Sequence, residues 1–348
     1  MIRGSHVGRW TKHLERVHAS VMFKTTIRAL LFLLLLASPR NARAEVLKIA
    51  IPSTTQAVLA FTIARDKGYY RAEGLDVELI LMSAPTASRA LLSGDVTVAT
   101  VGGAGLPPLL RGSPFKFLFT TYNRAMFWLY AKPEIRDVKA LKGRRVGVSG
   151  IGSGPDSLLR EILRQHGLDP SRDVAVLSLG VMPTIFAGVE GGIVDAAMLS
   201  PPVTFKAEEA GFRELVSFPK QDLVELQGSI LVRDASLQSD PGQMERFIRG
   251  TYKGFLYIKE NRAGTIPIVA RYLQVTDGVA AKAYDNVVRP SLTQDGTLNP
   301  ETQAKAVEHV LKRLDLKESP PLTKIFDFSL ARKVIVGELC RLSDEFSS

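Results

Sequence analysis

Serine, glycine and proline, rather than histidine or cysteine, mark the places where this chain could do chemistry. The run Ser149-Gly150-Ile151-Gly152-Ser153-Gly154-Pro155-Asp156 follows an apolar stretch ending at Val148 and opens a helical one. The spacing predicts a strand, a tight turn and a helix beginning at Pro155, since a proline without its N–H is tolerated in the first turn. The free N–H groups of such a helix start favour an anionic ligand group, and the hydroxyls of Ser149 and Ser153 add donors. Ser153 also suits the N-cap position, a role compatible with ligand contact. The glycines at 147, 150, 152 and 154 do not make the GxGxxG spacing of a dinucleotide loop. Three other stretches are equally small and polar: PSTTQ (52–56), VGGAG (101–105) and LSPP (199–202).

The reactive side chains are sparse. Beyond residue 44 the chain has two histidines, His166 and His309, and one cysteine, Cys340. His166 stands just before Gly167, where a cation suits a helix C-terminus. No HExxH, CxxC, GxSxG or GxxxxGK[ST] motif occurs, and the carboxylates are scattered. These residues predict no catalytic group, no metal site and no cofactor. A lone cysteine allows no internal disulfide, which an oxidising compartment tolerates.

The elements that must position the small polar loops come in two copies. Gly68 and Gly167 lie 99 residues apart, Gly94 and Gly192 98 apart, and Gly112 and Gly211 99 apart. Each copy reads as strand, helix, strand, short helix, strand, helix and a final apolar run, FKFLFTTY or FRELVSF. The fold class is therefore α/β, with two lobes of one design. Ligands of open α/β sheets bind beyond the carboxyl ends of the strands, where all four loops fall.

After the second copy comes a strand-like run, GSILVRD (228–234), and then helical segments in which Phe247, Thr251, Phe255 and Ile258 recur at helical spacing. A third copy is absent. The simplest architecture sends this segment back to complete the first lobe, giving 45–128 and 229–348 to lobe one and 129–228 to lobe two. The chain then crosses twice, near 127–130 and near 227–230, and two crossings make a hinge. A separate C-terminal helical domain is the alternative, disfavoured because no Pro/Gly/Ser-rich linker stands near residue 230.

The N-terminus speaks for export. A basic stretch from Met22 to Arg28 precedes the apolar run ALLFLLLLA (29–37), and Ala42-Arg43-Ala44 offers small residues at −3 and −1 of a cut before Glu45. This pattern reads as a secretory signal peptide, too short in its apolar part for a permanent anchor. Residues 1–44 hold eight Lys/Arg against one Asp/Glu, so of the formal +10 only +3 remains beyond them. The basic character thus sits in the leader, and no nucleic-acid partner is implied.

The phrases KIAIPSTTQAVLAFTIARDKGYYRAEGLDVELI, SAPTASRALLSGDVTVATVGG, LKGRRVGVSGIGSGPDSLLREILRQHGLDP and VEGGIVDAAMLSPP resemble, in order, the periplasmic solute-binding proteins of nitrate/sulfonate/taurine ABC importers. The tail KIFDFSLARK is similar to the same family's C-terminal region. The resemblance covers about residues 46–335. It implies a two-lobed type II binding-protein fold, each lobe a mixed sheet flanked by helices, with a two-strand hinge. It also implies a monomer in the periplasm that closes on a small anionic or polar organic ligand and delivers it to a membrane permease. The ligand contacts it implies are Ser53, Thr54, Pro85, Thr86, Gly102, Gly103, Asn123, the loop from Ser149 through Ser153 to Gly154, Met182, Pro183, Ser200 and Pro201. Arg124 is the one arginine suited to match a carboxylate or sulfonate. Phe127 and Trp128 suit either stacking on a ligand or filling the hinge core.

Two other readings stay open. A sensory binding protein presenting its ligand to a membrane receptor has the same sequence features. The hydroxymethylpyrimidine synthase of the yeast type resembles these binding proteins too, but depends on a histidine and a cysteine-rich iron motif. This chain departs from it, with no histidine between Glu45 and Gln165 and no cysteine before Cys340.

Overall fold

The computed structural model describes residues 44–347 except 52–54 and 222. The leader and the proposed cut after Ala44 therefore lie outside the described residues but for Ala44 itself, as do Ser53 and Thr54. Ten strands are described: β1 (Glu45–Ile51), β2 (Leu75–Leu81), β3 (Val98–Ala99), β4 (Phe115–Arg124), β5 (Trp128–Ala131), β6 (Arg145–Val148), β7 (Ala175–Ser178), β8 (Ala196–Leu199), β9 (Arg213–Ser217) and β10 (Val224–Arg233). The helices that matter below are α1 (Leu59–Asp66), α2 (Ala84–Ser93), α3 (Gly154–Gln165), α4 (Met182–Glu190), α5 (Val203–Glu209), α6 (Pro241–Glu260) and α7 (Ser329–Ser347).

The strands form two five-stranded sheets, ordered β2-β1-β3-β10-β4 and β7-β6-β8-β5-β9. In each, three parallel strands are followed by an antiparallel one that the chain contributes after passing through the other lobe: β10 in the first sheet, β5 in the second. The sequence repeat is thus a structural one. The three glycine pairs sit at equivalent turns, and all six residues have positive φ, between 72° and 92°. Left-handed backbone is costly for any residue with a Cβ, which explains why glycine recurs at one offset.

The connections between sheets are short. The first is residues 125–127, between β4 and β5, and the second is residues 218–223, between β9 and β10. The return passage comes earlier than the Gln227–Ile230 expected from sequence. The chain has already rejoined the first sheet at Val224, which pairs with Arg124. The polar residues of VELQ hid this strand start, because they break the apolar run that marks the rest of β10.

The C-terminal segment completes lobe one. Phe247, Thr251, Phe255 and Ile258 on α6 are all fully buried, and the three apolar ones share a cluster with Ile49 of β1 and Phe61 of α1. The Phe247 ring stacks between Tyr70 and Phe61, at centroid distances of 5.3 and 6.3 Å. Tyr70 and Thr251 join hydroxyls at 2.8 Å. This helix has no core of its own, so a separate helical domain does not form. Lobe two has its own core on both faces of its sheet, around Leu129, Val146, Leu159 and Met198 on one side and Ile185, Val194 and Leu199 on the other.

At the edge of lobe two where β6 begins, Asp195 ties three strands together. It accepts from the Arg145 backbone N–H at 3.0 Å and pairs with Lys132 at 3.4 Å and the Arg145 guanidinium at 3.5 Å. Burial alone would raise its pKa. The Arg145 N–H, the guanidinium and the Lys132 ammonium outweigh it and hold the carboxyl below the usual aspartate value.

Candidate ligand cleft

A cavity of about 520 Å³ opens between the carboxyl ends of the parallel strands of the two sheets. This is within the range of small-molecule sites. Its lobe-one wall includes Thr55, Ser83, Thr100 and Gly102, and its lobe-two wall includes Ser149, Ser153, Gly154 and Met182. Phe127 from the first connection and Glu225 and Gln227 from β10 line it at the hinge. Leu81 on one lip and Ile151 and Val181 on the other are each about half exposed.

The lobe-two loop is built as the sequence predicts, with Ser153 as the N-cap of α3 and Pro155 in its first turn. Its donors are largely engaged within the chain. The Asp156 carboxylate, almost fully buried, accepts the Gly152 N–H at 2.8 Å and the Arg160 guanidinium at 2.8 Å. The Ser153 hydroxyl donates to the Gly150 carbonyl at 2.6 Å and accepts from Ser149 Oγ at 3.1 Å. His166 closes the same helix, its ring Nδ1–H donating to the Ile162 carbonyl at 2.8 Å.

The lobe-one wall works by close approach. A Cβ on Gly102, whose φ is 54°, would collide with the Leu226 carbonyl oxygen. A Cβ on Gly103 would lie 2.6 Å from Glu225 Oε1, and one on Gly154, across the cleft, 3.3 Å from the same atom. The Glu225 carboxylate therefore reaches both walls. Among the described lining residues Glu225 is the one ionisable side chain. Gln227, two residues on, also lines the cavity and is buried with its amide Nε2 lacking any hydrogen-bond partner.

Of the residues expected at the site, Pro85, Gly102, Ser149, Ser153, Gly154, Met182 and Pro183 line this cavity. Gly103 touches it through Glu225. Thr86 does not line it: its backbone N–H and hydroxyl are held by Ser83, the N-cap of α2. Asn123, half-buried on β4, and Ser200, fully buried, do not line it. Pro201 lines a second cavity together with Arg124 and Trp128. The physical reason is the short connection at 125–127: the side chains of Phe127 and Trp128 leave the strand on opposite sides, and only Phe127 faces the cleft.

The family model described as "NMT1/THI5 like" matches residues 56–263, more than half of the chain and both walls of the cleft.

The chain belongs to the NMT1/THI5-like family.

Known proteins of similar sequence or structure are mostly binding proteins. Riboflavin-binding protein RibY of Chloroflexus aurantiacus is 26% identical over 206 residues, 56% of either chain, so this chain spans about half the length of that curated relative. The periplasmic nitrate-binding protein NrtA from Synechocystis PCC 6803 superposes with a TM-score of 0.67 at 13% identity, over 84% of this chain and 89% of that one. The periplasmic aliphatic sulphonate binding protein SsuA from Escherichia coli gives 0.61 at 19%, over 82% and 99%. The desulfurization enzyme DSZB gives 0.63 at 16%, over 84% and 99%. At these identities the structural likenesses establish the fold, the two-lobed α/β architecture of periplasmic binding proteins. Among the described residues of this family member no helix is long and apolar enough to cross a membrane.

Sequence reasoning did not find Glu225, Gln227, Ser83 or Thr100. Ser83 carried a signal, a serine just before a helix with proline in its first turn. Glu225 and Gln227 carried only their spacing of two on a strand whose start was placed too late.

Proposed function

We propose that this protein is the solute-binding component of an ABC importer, exported through its N-terminal signal, which closes two lobes on a small organic ligand and presents it to a membrane permease. The family, the two-sheet architecture and the interlobe cleft support this reading. The one observation that motivates the ligand class is Glu225, the one ionisable side chain among the described lining residues, set at the hinge against both cleft walls. A carboxylate facing the ligand repels a free oxyanion and rewards a hydrogen-bond donor. With Gln227 Nε2 two residues on, the hinge offers an acceptor beside a donor. The matching ligand is a neutral or cationic polar organic molecule with an N–H or amino group beside an acceptor, as on a nitrogen heterocycle. Riboflavin, named in the relative RibY, meets that description; nitrate and sulfonates do not.

A thermal-shift screen of riboflavin, pyrimidines, amines, nitrate and alkanesulfonates tests the ligand class, because a ligand binding only the folded state raises the melting temperature. The expected result is a rise with heterocycles or amines and none with the anions. Tight binding of a sulfonate, unaffected by Glu225→Gln, would reject the ligand assignment. Small-angle scattering should then show a smaller radius of gyration with the bound ligand, as the exposed lips around Leu81, Ile151 and Val181 meet.

A further inference from the structure

The second cavity, about 400 Å³, shares no lining residue with the cleft. It lies across the first connection from it, as the opposite facing of Phe127 and Trp128 shows. Lobe one supplies Arg124, at the end of β4, together with Val287 and Ser291 of the returning segment. Lobe two supplies Trp128, Thr204, Phe205 and Glu208. A ligand here touches both lobes at the hinge.

Three features make this more than a surface dent. Thr204 is only 2% exposed, yet its hydroxyl has no hydrogen-bond partner. A buried hydroxyl left unmatched is costly, and a ligand group in the cavity would match it. The charges at the rim are of both signs. Glu208 is held in place by the Tyr130 hydroxyl, which donates to its Oε1 at 2.7 Å, and Arg124 offers a guanidinium fork. Lys220, the other cation of the rim, is already 3.8 Å from Glu214. Between these charges Trp128, Phe205 and Val287 form apolar walls.

We propose that this cavity is a second small-molecule site, distinct from the cleft, for a zwitterionic amino carboxylate with an apolar side chain. The carboxylate lies against Arg124, the ammonium against Glu208 and Thr204, and the side chain against Trp128 and Phe205. A plain anion would meet Glu208 and a plain cation Arg124, so a ligand carrying both charges is favoured over either alone.

Trp128 is the sole tryptophan besides Trp10, so in a Trp10→Phe background the fluorescence is that of Trp128, which lines this cavity. L-leucine is the probe, compared with its two half-molecules, 4-methylpentanoate and 3-methylbutylamine. A saturable fluorescence change is expected with leucine, about tenfold weaker with either half-molecule, as loss of one charge-assisted contact implies. Arg124→Gln and Glu208→Gln should each weaken leucine about tenfold, and Thr204→Val by a smaller factor. Glu225→Gln, in the cleft, should leave the titration unchanged. Circular dichroism melts of each variant separate loss of binding from loss of fold. No saturable change with leucine would overturn the proposal. So would equal binding of 4-methylpentanoate, or a response abolished by Glu225→Gln and kept by Arg124→Gln, which would place leucine in the cleft. The first two outcomes leave the assignment of the cleft untouched, and the heterocycle screen tests that assignment separately.

Discussion

The two walls of the cleft meet the ligand space in opposite ways. In lobe two the helix start at Ser153 turns its polar groups inward: Asp156, Ser153 and Ser149 satisfy the loop's own donors and acceptors. In lobe one the turn at Gly102–Gly105 carries only the Ala104 methyl, and Glu225 from the returning strand packs against Gly103. One wall is a self-satisfied support, the other a close backbone fit that sets a charge in the cleft. A helix start is an anion site only while its N–H groups are free, and here part of that capacity is consumed before a ligand arrives.

The sharpest break of this contrast is Gly102→Ala. The new Cβ would meet the Leu226 carbonyl in a left-handed backbone, and the expected cost is about 3 kcal/mol of stability, read by chemical denaturation. A loss under about 1 kcal/mol would mean that lobe one's wall yields easily, and the close-fit account would fail.

Glu225→Gln keeps the shape and removes the charge. Affinity for a donor-bearing ligand should fall about ten- to a hundredfold by calorimetry. An unchanged affinity would leave the two walls electrically alike and remove the basis for the ligand class.

Asp195→Asn tests the internal bracing of lobe two, far from the cleft. The folded carboxyl lies below its unfolded value near 4, so its contribution is complete above that pH and is lost as pH falls through the folded value. At pH 7 the variant should be less stable by about 1–2 kcal/mol, and the gap to the wild type should close as pH drops below about 4. A gap that persists at pH 2 would point to packing rather than charge.

The smallest expected effect is at Ser153. Its hydroxyl caps α3 and bonds Gly150, so Ser153→Ala should lower ligand-free stability by about 1 kcal/mol. Ligand affinity should change by less than about threefold, since that hydroxyl is already committed within the chain. A large loss of affinity at constant stability would show that lobe two's wall is a binding wall after all.

The sequence by itself determined the architecture. Local signals sufficed because they are local: apolar runs of strand length, helices with serine and proline at their starts, and three glycine pairs at one offset, each required by a left-handed turn. From these the two lobes, the returning segment and most of the cleft loops were legible, including Gly102, Ser149, Ser153 and Gly154, while Met182 came only from the family resemblance. What only the tertiary structure decided is which polar groups line the cleft. Glu225 enters the cleft because β10 crosses back beside β4, a pairing between residues about a hundred apart with no motif to mark it. Asp156 and Ser153 leave the ligand's reach because they meet their partners within the folded loop. Arg124, Trp128 and Pro201 face the second cavity because a three-residue connection sends neighbouring side chains to opposite sides of the hinge. Backbone conformation is set by neighbours in sequence, whereas the environment of a charge is set by neighbours in space.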